Sequence, residues 1–128
     1  MEHALLGLCM YLIVETTNCE VAWEKVYRVY QATKRAFAVV ACLSDSTLEL
    51  IQCSAMIALF ELGHGETMLS YRSLSQTAVM ARAAGFQTGK ALEKSEPICD
   101  TEVEARALWW TTFILDQYVV CEHALNAS

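Results

Sequence analysis

Glu61-Leu-Gly-His64 is the nearest approach this sequence makes to a chemical motif. It has the E-x-x-H form of a half-site for two iron ions, which needs a second such motif and further inward carboxylates. Neither is present, and Gly63 falls where the helix should end, so His64 is expected as a turn histidine in solvent. Cys121-Glu122-His123 holds a thiol and an imidazole too close along a helix to face one another as a nucleophile and its base. Ser70, Ser73 and Ser75 sit within a helical segment with no nearby histidine. There is no glycine-rich phosphate loop, nucleophile elbow or H-E-x-x-H. The residues describe a non-catalytic helical module with no catalytic, metal or cofactor residue to name.

Six cysteines stand at positions 9, 19, 42, 53, 99 and 121, without a C-x-x-C and without a histidine at zinc-ligand spacing. Five lie in or beside apolar helical stretches, where a free cysteine behaves as a small hydrophobe. The expectation is a reducing compartment, no disulfide framework and no zinc site. Fifteen acidic against nine basic residues leave a formal charge of −6, a poor balance for neutralising phosphates. Lys25, Arg28, Lys34 and Arg35 spread around a helix and are expected as a solvated face. The apolar run 4–14 lacks a basic leader and a cleavage site and is too short to span a bilayer. It reads as a buried terminal helix, and no other apolar run reaches spanning length without a charge or an amide.

The elements that must carry these residues follow from composition and punctuation. A chain of 128 residues is long enough for one core. Its 55% hydrophobic content, mean hydropathy of +0.29, single proline and five glycines favour long helices packed on more than one side. Thr17-x-x-Glu20, Ser46-x-x-Glu49 and Thr101-x-x-Glu104 have the form of capping boxes. Gly63-His64-Gly65 and Gly85 supply stops. The predicted helices lie near 3–15, 18–43, 47–63, 66–85 and 102–124, with 86–101 a loop around Gly89 and Pro97. No two-residue alternation competes, so the predicted fold is all-α, as a single domain over 1–128.

Residues 47–85 read as a helical hairpin, whose second helix carries Tyr71, Leu74, Ala78, Ala81 and Gly85 as a stripe that narrows for close approach. No second copy appears at a fixed period, which leaves a repeat array little support. Arg82 suits the negative end of its helix. In the last helix Glu102 and Arg106 form a favourable pair one turn apart. Trp109 and Trp110 point about 100° apart, so at most one can sit squarely on a single core stripe. The helix is therefore expected to be wedged between two packing partners. Asp116 closes an apolar run, either buried against Arg82 or Arg106 or exposed on the helix's far side.

With these residues in place, the hairpin, the loop and the Trp-Trp element resemble the central regulatory region of fungal zinc-cluster transcription factors, the fungal-specific transcription factor domain. There an alanine-rich helix runs into a Gly-Leu-His turn; Thr77 to Gln87 match it through Arg82 and Gly85, with Phe86 and Gln87 replacing Leu and His. Glu104, Arg106, Leu108, Trp109, Trp110, Leu115 and Asp116 match the element that follows. Ala105 and Ala107 thin its basic cluster, and Gln117 replaces the arginine after the aspartate. The resemblance covers roughly residues 45–120.

It implies a regulatory module that restrains or relays activation in the nucleus, not an enzyme, working through protein partners or self-association and not through a membrane. It leaves room for a small-molecule effector that no motif identifies. The family contacts DNA through an N-terminal six-cysteine cluster holding two zinc ions; that spacing is absent here, so DNA binding and the zinc cofactor are not expected of this chain. The family domain continues past the Leu-Asp element, and the chain is expected to be a fragment or truncated relative with uncovered apolar helix faces. The alternative is a helical-repeat scaffold that binds a partner protein and is unrelated to transcription.

Overall fold

The computed structural model describes residues 2–16, 23–45, 47–85 and 100–127. Its elements are α1 (Glu2–Thr16), α2 (Trp23–Leu43), α3 (Leu48–Gly63), α4 (Thr67–Ala83) and α5 (Asp100–Ala127), and the fold is all-α. The Thr17–Glu20 box and the loop beyond Gly85 lie outside the described residues. No described helix is long and apolar enough to cross a membrane.

Helix α3 is the centre. Its sequence is apolar around most of its circumference, the pattern of a helix covered on several sides. It packs against all four other helices, most extensively α4 and α1. Leu50, Ile51, Cys53, Ile57 and Phe60 of α3 are buried with Leu5, Cys9 and Leu12 of α1, and with Val26, Tyr30, Phe37 and Val40 of α2. The terminal helix, expected to be buried, is so only along the stripe of Leu5, Cys9 and Leu12, while Leu8, Met10, Tyr11 and Val14 face outward because only one side of α1 meets α2 and α3.

The start of α3 corrects one expectation. The cap is Thr47, not Ser46: its hydroxyl accepts the Leu50 N–H at 3.3 Å. A threonine in extended conformation, one residue nearer the apolar run, caps the helix one N–H later. Similarly, α5 begins at Asp100, which places Thr101 inside the helix instead of at its cap.

The α3–α4 hairpin turns where expected. The His64 N–H bonds back to Phe60 and Glu61 carbonyls, and Gly65 takes φ +76°, which a Cβ would make costly. The buried stripe of α4 differs from the predicted one. Leu74 and Ala81 are on it, but Tyr71 is exposed, and the remaining places belong to Ser70, Ser73, Thr77 and Met80. Hydroxyls win these places because each finds an acceptor inside the hairpin. Ser70 donates to the Ala58 carbonyl at 2.9 Å, Thr77 to the Ser73 carbonyl at 2.8 Å, and the Ser54 and Thr77 hydroxyls lie 2.6 Å apart.

Candidate functional site

The family-like residues occupy the end of α4 and the length of α5, and the structure divides them. Arg82 is exposed in the last turn of α4. Gly85 follows with φ +82°, its N–H bonded to the Arg82 carbonyl at 3.0 Å. On α5, Leu108 and Trp109 pack half-buried on the main core, and Leu115 packs on Ala58 and Leu74 of the hairpin. Thr112 is buried between them and bonds back to the Leu108 carbonyl at 2.8 Å. These side chains form the inner face of α5, which holds α4 chiefly and α3 secondarily.

Trp110 points away, 60% exposed, its ring edge against Phe113 with centroids 6.1 Å apart. One tryptophan on the core and one off it is what the 100° step required. The second packing partner that the pair suggested is not supplied by the described residues. Glu104 is exposed; Arg106 and Asp116 are half-buried. Neither Arg82 nor Arg106 pairs with Asp116 among the described residues, where the single ion pair is Lys34–Glu61. Half-exposed, Asp116 keeps enough water to stand without a cation.

The motif does not mark the most polar interior site. Glu61 of α3 is 1% exposed, and its carboxylate accepts from three donors on two helices: Tyr30 Oη of α2 at 2.8 Å, Lys34 Nζ of α2 at 3.2 Å, and Ser73 Oγ of α4. A buried carboxylate requires such donors, and here every one comes from a different turn or helix. Burial first, then the bond to Glu61, pushes the Tyr30 phenol well above its ordinary range. Lys34 also stands over the Tyr30 ring, 5.8 Å from its centroid. Of the basic residues expected in solvent, Lys25, Arg28 and Arg35 are exposed, whereas Lys34 is drawn in by this carboxylate.

His64 is likewise not the solvent histidine of the sequence reading. It is half-buried, with ring centroids 4.6 Å from Trp23 and 4.2 Å from Phe60, and its Nδ1–H donates to the Phe60 carbonyl at 2.8 Å. Phe60 in turn stacks on Tyr30 at 4.9 Å. Glu61 and His64 are therefore committed to different partners and do not converge on a metal position. The cysteines also divide. Cys9 and Cys53 are buried, the Cys9 thiol donating to the Cys53 carbonyl at 3.8 Å, while Cys42 and Cys121 are exposed. Cys19 and Cys99 lie outside the described residues.

The described residues form an all-α body whose longest helix carries aromatic anchors, with the Glu15 Oε2 buried and without a hydrogen-bond partner among them. The comparison with protein families is specific: residues 8–124 match the fungal specific transcription factor domain, and the chain belongs to that family. The match begins within α1 and so takes in α1 and α2, earlier than the stretch from residue 45 that carries the motif. Comparison with curated proteins and with solved structures returns no match.

Proposed function

We propose that this chain is the regulatory, non-DNA-contacting domain of a fungal zinc-cluster-type transcription regulator, or a relative of one, with residues 1–128 acting as a single domain. Family membership across residues 8–124 carries this reading. The geometry supports it in two respects. Leu108, Trp109 and Leu115 fix the long helix to the hairpin, and the acidic balance of −6 leaves duplex DNA to a separate zinc-cluster region. The chain acts in the nucleus through protein contacts and carries out no catalysis itself. Arg82, Gly85, Glu104, Arg106 and Asp116 serve the domain as structural and surface residues, not as ligand-holding ones.

The test is a fungal reporter driven by an unrelated DNA-binding domain joined to an activation domain, with and without this chain inserted between them. Insertion should change reporter output severalfold, and Trp109→Ala should restore the unmodified level. Equal output from fusions present at equal levels would overturn the proposal. So would nanomolar, salt-sensitive binding of duplex DNA by the purified chain.

A further inference from the structure

Two nucleophiles meet in the core, away from the family motif. Cys9 sits on the buried stripe of α1 between Leu5 and Leu12, and Cys53 sits on α3 between Leu50 and Ile57. Both are free thiols, 1% and 0% exposed. They stand 44 residues apart in the chain, yet the Cys9 thiol donates to the Cys53 carbonyl at 3.8 Å, and the two thiols are hydrogen-bonded to each other. That mutual bond lowers the Cys9 pKa against the opposing effect of burial, and together with burial it raises that of Cys53. Cys9 is therefore the readier thiolate of the two. Leu5 and Leu12 anchor α1 on either side of Cys9, so helix packing and not a loop sets the approach of the thiols.

Thiols in contact across two packed helices need only side-chain rotation and a small approach to reach the sulfur–sulfur bond length of about 2.05 Å. Burial keeps them inert while α1 is docked. Only one side of α1 meets α2 and α3, and a helix held on one side opens locally before the core does. Such an opening admits a small neutral oxidant, hydrogen peroxide. The Cys9 thiolate attacks one peroxide oxygen and the O–O bond breaks. Cys9 becomes a sulfenic acid, and the departing hydroxide takes up the proton that Cys9 released. Redocking presents Cys53, whose sulfur attacks the Cys9 sulfur. The S–O bond breaks, and the hydroxide leaves with the Cys53 proton as water. Two thiols and one peroxide thus give one disulfide and two waters.

We propose that Cys9 and Cys53 form a peroxide-sensitive redox pair, whose reversible disulfide staples α1 to α3 and encloses α2 in a covalent loop. In the dithiol state α1 can lift from α3; in the disulfide state it is held. This stands on the contact between α1 and α3 and is independent of the regulatory reading above.

The reduced full chain, treated with hydrogen peroxide, alkylated and mapped by mass spectrometry, should yield a Cys9–Cys53 cross-linked peptide as its main intramolecular product. Dithiothreitol should reverse it. Helical circular dichroism should stay unchanged, and the unfolding constant in urea should fall by on the order of a hundredfold or more, the effect of closing a loop of that length. Cys53→Ala should abolish this shift. The same treatment of the urea-unfolded chain should show no preference for the pair, because helix packing is what selects it. A native chain whose Cys9 and Cys53 stay unlinked at peroxide levels that oxidise the exposed Cys42 and Cys121 overturns the proposal. So does a link that forms equally well in urea, or a disulfide that leaves the unfolding constant unmoved or lowers the helical signal.

Discussion

The phenol of Tyr30 donates to the Glu61 carboxylate over 2.8 Å, joining α2 to α3 where both side chains are buried. The same carboxylate takes Ser73 of α4 and Lys34 of α2, so one acidic side chain ties three helices. Its removal should be felt across the fold. Glu61→Ala strands two buried hydroxyls and leaves a void, and should cost about 3–5 kcal/mol in urea unfolding. Glu61→Gln keeps the shape and should cost about 1–2 kcal/mol. Lys34 is 37% exposed, so Lys34→Met should cost only about 1 kcal/mol. If Lys34→Met proved as damaging as Glu61→Ala, the hydroxyls would not be the principal donors.

The raised Tyr30 phenol makes stability depend on alkaline pH. The folded chain keeps a proton that the unfolded chain releases near the ordinary value of 10.0, so this stabilisation is complete below pH 10 and declines as pH rises beyond it. Urea midpoints measured from pH 8 to 11 should fall more steeply above pH 10 in the native chain than in Tyr30→Phe. Parallel curves would assign the alkaline loss to other groups.

The two adjacent tryptophans should separate in a mutant pair. Trp109 packs on the core and Trp109→Ala should lower stability by about 3 kcal/mol. Trp110→Ala, at the outer surface, should stay within about 0.5 kcal/mol. Equal losses would mean that the helix is rotated from the orientation described.

Two backbone positions give sharper, smaller effects. Gly65→Ala meets no atom within 4 Å of the added Cβ, so its cost is the left-handed backbone alone, about 1–2 kcal/mol. Thr47→Ala removes the α3 cap and should cost about 1 kcal/mol, whereas Thr47→Ser should recover most of it. Thermal melts of the three variants check both.

The helices and the hairpin turn were legible because their signals are local: Gly63 to Gly65 mark the turn, and apolar runs mark the rods. The divergence of Trp109 and Trp110 by about 100° follows from the helical step alone. Glu61 was not legible as a centre. Its partners lie 31, 27 and 12 residues away, and no linear pattern joins them. A carboxylate late in an apolar run was the one available sign, and its E-x-x-H spacing with His64 drew attention to metal chemistry instead. The α4 stripe was misplaced for a related reason: Ser70, Ser73 and Thr77 count as polar in a sequence, yet each satisfies its hydroxyl against a neighbouring helix or its own previous turn. Nothing near His64 in the chain reveals its contact with Trp23.

The hydroxyl-lined seam between α3 and α4 has a mechanical consequence. Apolar side chains tolerate sliding past one another, but donors and acceptors at fixed spacing do not. Shifting α4 along α3 by one turn would take Ser70 from the Ala58 carbonyl and Ser73 from Glu61 together. The hairpin therefore has one register and resists shear.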